Sequence, residues 1–138
     1  MRVLLDTDVS LDFVLERQPF FVEAKQIFLS LAQGAFTGYL SAVTPINIFY
    51  VARKEHGAEK TRQAITDLLT AVEICQLDEK ILREALASPI SDFEDATQHG
   101  CAIENNLDAL VTRNLKDYKN ATLAVYSPTD FLAHLKTL

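Results

Sequence analysis

The run Val3-Leu4-Leu5, followed at once by Asp6, constrains this chain more than any other feature in it. Apolar residues in unbroken succession belong to a strand buried on both faces, and such strands occur in parallel sheets covered on each side by helices. An acid directly after the strand stands at its carboxyl end, where a sheet of this kind leaves its crevice. The remaining pattern agrees. Short strands are predicted over Arg2 to Leu5, Thr37 to Ser41, Val72 to Ile74, Asp108 to Thr112 and Leu123 to Tyr126. Helical periodicity falls between them, over Val9 to Leu15, Phe21 to Gln33, Ala58 to Leu69 and Asp78 to Ala87. Thr44-Pro45 reads as an N-cap and first helical residue of a helix reaching about Glu55, and Gly34 and Gly57 read as helix stops. Ser91 and Glu94 have capping-box spacing and open a helix to about Ile103, and Ser127-Pro128-Thr129-Asp130 opens the last. Crossovers of this length join parallel neighbours, so the expectation is α/β: a three-layer α/β/α sandwich with a mostly parallel central sheet.

Nothing in the chain suggests a linker, repeat or low-complexity tract, so residues 1–138 read as a single domain. At 49% apolar, a chain of this length builds a core without disulfides, and Cys75 and Cys101 read as buried free thiols. No apolar run exceeds Ile48 to Ala52, too short for a bilayer span, and Val3 to Leu5 is too short for a signal-peptide core. The expectation is a soluble cytoplasmic protein with no membrane association. The net charge of −6 argues against a dense basic surface for nucleic acid, but not against an enzyme that reaches phosphate through metal ions.

Three acidic groups stand where a parallel sheet gathers its functional residues or at a helix start: Asp6 and Asp8 after the first strand, Asp92, Glu94 and Asp95 opening a helix, and Asp117 beyond the Ala109 to Thr112 strand. Brought together, these carboxylates would repel and raise one another's pKa values unless a cation lay among them. Hard oxygen ligands suit Mg2+ or Mn2+. Each acid also has a plainer reading. Asp8 fits a helix N-cap, Glu94 the capping partner of Ser91, and Asp92 a complement to the helix dipole, while Asp12 reads as solvated. Asp95 shares a helix face with His99 and points either inward or to solvent. The chain has no glycine-rich phosphate loop and no nucleophile elbow. His56, His99 and His134 read as structural or surface residues, and Phe49 and Tyr50 as core.

The order of the motifs is informative: Leu4-Leu5-Asp6-Thr7-Asp8-Val9, Ser41-Ala42-Val43-Thr44-Pro45-Ile46-Asn47, Asp92-Phe93-Glu94-Asp95-Ala96 and Val111-Thr112-Arg113-Asn114-Leu115-Lys116-Asp117-Tyr118. In this order they resemble the PIN domain family, to which the VapC toxins of toxin-antitoxin pairs belong. The resemblance implies a metal-dependent ribonuclease using Mg2+ or Mn2+, with Asp6, Asp95 and Asp117 as catalytic metal ligands and Thr112 and Asn114 supporting them. It departs at Asn47, where the family usually carries glutamate; Asp92 or Glu94 would then compensate, or activity would be weak or absent. Arg113, Lys116, Arg53 and Lys54 are candidates for RNA phosphate contacts, against a reading as solvated surface charge. Further implied partners are an antitoxin protein and a second copy of the chain as a homodimer.

Carboxylates holding one or two divalent ions would activate water for in-line attack on an RNA phosphodiester, leaving a 3′-hydroxyl and a 5′-phosphate. Two such ions would move the formal charge from −6 to about −2, so RNA binding is expected to depend on metal. Two alternatives stand beside this one. Asn47 fits a non-catalytic PIN-like module that binds RNA or protein. Leu5-Asp6-Thr7-Asp8-Val9 also resembles the nucleophile motif of haloacid-dehalogenase-type phosphatases, in which Asp6 would attack phosphorus.

Overall fold

The computed structural model describes residues 1–138. Five short strands, β1 (Arg2–Leu5), β2 (Thr37–Ser41), β3 (Glu73–Cys75), β4 (Ala109–Val111) and β5 (Ala124–Tyr126), form one sheet in the order β3-β2-β1-β4-β5, with every pairing parallel. Seven helices surround it: α1 (Thr7–Val14), α2 (Phe21–Ala32), α3 (Thr44–His56), α4 (Ala58–Ala71), α5 (Glu79–Leu86), α6 (Phe93–Glu104) and α7 (Pro128–Leu135). This is the expected α/β sandwich.

The unbroken apolar runs are explained by the two cores. Val3, Leu5, Ala109 and Val111 face one core, which α1, α2, α3, α4 and α7 complete through Val9, Ile27, Ile48, Leu68 and Phe131. Leu4 and Leu110, on the opposite pleat, face the other, completed by Ile81 and Ala85 of α5 and Ala96, Cys101 and Ala102 of α6. A strand packed on both sides has no solvent face to leave polar, hence the missing alternation. Cys75 and Cys101 are buried and unpaired, and burial pushes their thiols up to about 12 and about 11. They are core residues, as expected.

The topology fixes where the site lies. The chain leaves β1 for β2 and β3 on one side, then returns to β4 and β5 on the other, so β1 and β4 flank the switch point of the sheet. Their registers pair Leu5 with Val111, so Asp6 and Thr112 emerge side by side.

Several local expectations are corrected. Asp8 caps nothing: α1 begins at Thr7, with Asp6 in the N-cap position and no side-chain cap bond, because the helix springs directly from the strand end. The start of α6 is capped by Asp92, whose Oδ1 accepts from the Asp95 N–H at 2.9 Å, so Ser91 and Glu94 form no capping box. Thr44 is the first residue of α3 rather than its cap, which frees its hydroxyl to bond that of Thr7 at 2.9 Å. Gly57 ends α3 at φ 78°, a conformation costly for residues with a Cβ, and lets α4 start at the next residue. Phe49 and Tyr50 are not core. Ile48 and Ala52 take the inward face of α3, leaving Tyr50 57% exposed beneath the Arg53 guanidinium, 5.0 Å from its ring.

Candidate active site

Asp6 is 3% exposed and bonded at both oxygens. Oδ1 accepts from the Gln98 side-chain amide at 2.8 Å, and Oδ2 from the Thr112 hydroxyl at 2.7 Å, with the Tyr118 hydroxyl 3.4 Å away. Its backbone N–H donates to the Val111 carbonyl at 3.0 Å, tying the ends of β1 and β4 together. Asp95 meets it from the first turn of α6. The Tyr118 hydroxyl donates to Asp95 Oδ1 at 3.0 Å and accepts from the Gln98 amide at 3.2 Å, so one phenol stands between the two acids. Asp95 therefore points inward, the alternative that its helix position alone left open.

The electrostatics follow from this convergence. Burial pushes the Asp95 carboxyl up to about 7, and the charges of Asp6, Asp92 and Asp117 add to that, while the bond from Tyr118 opposes it. Burial and the two neighbouring carboxylates hold the Tyr118 phenol far above its ordinary range, so it stays protonated as a donor. Asp117 lies exposed in a 3-10 turn over Leu115–Tyr118, with its charge felt at Asp95. Of the two acids considered as substitutes for the missing glutamate, Asp92 is partly spent as the cap of α6. Glu94, half-buried in the same turn, joins none of these bonds. Asn47 is half-buried in the first turn of α3, three residues after Thr44 and therefore on the same helix face.

The segment after β4 closes the site from the other side. Asn114 N–H donates to the Thr112 hydroxyl oxygen at 3.0 Å, and its side-chain amide donates to Asp8 Oδ2 at 3.2 Å. Asp8 also accepts from the Arg113 N–H at 3.3 Å, yet its Oδ1 is buried without a partner. Burial, and then the charge of Asp6, raise its carboxyl well above the usual range. Asp12, expected to be solvated, is 1% exposed and ion-paired with Arg113 at 2.6 Å. Its partner lies so far along the chain that no local pattern announces it.

Sequence reasoning missed Gln98 and Tyr118. The available signal was Gln98 itself, a polar residue one turn from Asp95 among the small buried residues Ala96, Cys101 and Ala102. The cationic candidates are not gathered at the acids. Arg113 is committed to Asp12, Lys116 is exposed beside Asp117, and Arg53 and Lys54 lie in the last turn of α3, about 14 to 15 Å along the helix from Thr44. His99 accepts from the Thr122 N–H at 3.0 Å and His134 stacks on Tyr126, both structural roles.

No three acids, histidines or cysteines stand close enough to form a ready-made metal cage. The donor set nevertheless suits Mg2+ or Mn2+. These ions are bound through one or two carboxylates and keep several waters, and Asp95, raised first by burial and then by the charges of Asp6 and Asp92, is a carboxyl whose ionised form a cation would favour.

A family model described as the PIN domain matches residues 2–116. The chain belongs to the PIN domain family. The match covers Asp6, Asp95, Thr112 and Asn114, and the family assignment sets aside the phosphatase reading of the opening motif. No curated protein sequence matches this PIN domain. Among solved structures, a toxin-antitoxin complex from Klebsiella pneumoniae is similar at 26% identity and a TM-score of 0.68, over 91% of this chain and 97% of that one. VapBC2 from Rickettsia felis, bound to a DNA fragment from its promoter, shares the fold at 20% identity and a TM-score of 0.67, covering 92% and 98%. VapC20 from Mycobacterium tuberculosis, described as a sarcin-ricin loop cleaving toxin, does so at 13% identity and a TM-score of 0.65, covering 78% and 86%. No helix of this PIN domain is long and apolar enough to cross a membrane.

Proposed function

We propose that this PIN domain is a metal-dependent endoribonuclease and the toxin of a toxin-antitoxin pair. The observation that carries the reading is the convergence of Asp6 and Asp95 at the switch point of the sheet, with Asp92 and Asp117 near enough to act on Asp95. Asp6 and Asp95 would hold Mg2+ or Mn2+, with Asp117 contributing from the adjoining turn and Asp92 or Asn47 at the margin. Bound there, the ion would supply positive charge at the scissile phosphate and acidify a water.

The protein's own groups do the positioning. Gln98 and Thr112 fix both oxygens of Asp6, and Tyr118 orients Asp95, so neither acid has to be ordered when substrate arrives. Burial excludes competing water from the pair. The exposed turn carrying Lys116 and Asp117 ends at Tyr118, which touches both acids, and would give RNA phosphates an approach. An antitoxin partner belongs to the same reading, supported by the similarity to a structure that is itself a toxin-antitoxin complex, and a homodimer is proposed with it. Incubation with single-stranded RNA and Mn2+ should yield 5′-phosphorylated fragments, and EDTA should abolish them. Intact RNA in the presence of Mn2+, with calorimetry detecting no Mn2+ binding, would favour the non-catalytic module.

A further inference from the structure

Asp12 is the most buried acid of the site region, and the nuclease reading gives it nothing to do. It stands one turn beyond Asp8 on α1, so both carboxylates present the same face to the segment after β4. Both of its oxygens are taken by a single guanidinium: Arg113 Nε donates to Oδ2 at 2.6 Å and Nη2 to Oδ1 at 3.2 Å. One face of that guanidinium is covered by the Phe20 ring, whose centroid lies 3.9 Å from Cζ. Arg113 is therefore clamped between an acid and an aromatic face, with its side chain 26% exposed and that of Asp12 2%.

Residue 113 is flanked by the two groups that touch the acids. Thr112 holds Asp6, Asn114 holds Asp8, and the Arg113 N–H itself donates to Asp8. We infer that Arg113 and Asp12 form a latch that positions the Thr112–Asn114 segment against Asp6 and Asp8, making both of them positioning residues and not substrate contacts. A phosphate contact by Arg113 would have to release Asp12, leaving a buried carboxylate without its partner, which is strongly unfavourable. A planar fork suits the clamp; a lysine point charge does not.

The kinetic part of this inference rests on the nuclease reading; its structural part does not. The test compares Arg113→Gln, Arg113→Lys, Asp12→Asn and the double variant Asp12→Asn/Arg113→Gln. Hydrogen exchange at the Arg113 and Asn114 amides is measured on each protein, and kcat and KM for single-stranded RNA are measured across a salt series. The latch predicts faster exchange at both amides in every variant. It also predicts a kcat lowered by roughly 10- to 100-fold with KM within about twofold, and a double variant no worse than either single one. Arg113→Lys should fail as Arg113→Gln does.

A substrate contact predicts the reverse: KM rises, its salt slope drops by about 0.7, Arg113→Lys rescues, and Asp12→Asn leaves exchange unchanged. That pattern would overturn the latch. If Asp12→Asn does not fold, Arg113→Lys and Phe20→Leu carry the same comparison, since both leave Asp12 in place. If the wild-type protein cleaves no RNA, the nuclease reading fails while the exchange data still decide the latch.

Discussion

Gln98 donates its side-chain amide to Asp6 Oδ1 at 2.8 Å, one helical turn beyond Asp95 on α6. A neutral residue thereby fixes the orientation of a carboxylate delivered by a strand at the other end of the chain. Its own carbonyl oxygen is buried without a partner, so the residue is kept at some cost to stability.

Gln98→Leu removes the donor and the unsatisfied carbonyl together. Melting temperature should fall by a few degrees, since Asp6 Oδ1 loses its donor while the unsatisfied carbonyl goes with it, and on the proposed nuclease reading kcat on RNA falls by roughly 10- to 100-fold. Parallel melting and rate measurements check this, and a large loss of stability at full activity would contradict it.

Tyr118→Phe deletes the hydroxyl between Asp6 and Asp95. That bond holds the Asp95 carboxyl down against burial and neighbouring charge, so its loss raises the carboxyl further above about 7. The acidic limb of the pH–rate profile should move to higher pH in the variant. An unmoved limb would mean that the phenol does not tune Asp95.

The metal-free protein should lose stability as pH rises through the weakly acidic range. Asp8 and Asp95 have carboxyls raised above their unfolded values, so between about 4 and about 7 the folded state binds more protons than the unfolded one. Their contribution is fully present below pH about 4 and is lost as pH climbs to about 7. Thermal melts in EDTA across this window should show the decline, and Mn2+ added at neutral pH should restore much of it. A metal-free melting temperature that increases through the window would count against the assignment.

Asn47→Glu introduces an acid in the first turn of α3, three residues after Thr44, where the resemblance implies a glutamate. Calorimetry should then register tighter Mn2+ binding at neutral pH. Unchanged binding would place residue 47 outside the metal's reach.

The sheet was legible because β1 and β4 are packed on both faces, which leaves short unbroken apolar runs where a half-exposed strand would alternate. Asp6 was legible for the same reason, being the acid at the end of such a run. What escaped was whatever depends on distant partners. Asp12 has the local look of a solvated acid until Arg113 arrives from the end of the neighbouring strand β4. Gln98 and Tyr118 carry no charge and gain a role only when Asp6 and Asp95 converge on them. Phe49 and Tyr50 misled because the segment Ile48 to Ala52 is apolar all round, and only packing decides which face turns inward.

Multiple-turnover cleavage of a labelled single-stranded RNA in Mn2+, run side by side for the wild-type protein, Asp6→Asn and Asp95→Asn, tests the central claim most directly. Each substitution removes one carboxylate charge from the convergent pair while keeping its shape. Loss of at least about a hundredfold in rate is expected for each, without loss of the folded state by circular dichroism. Cleavage that survives both substitutions at the wild-type rate would contradict the account.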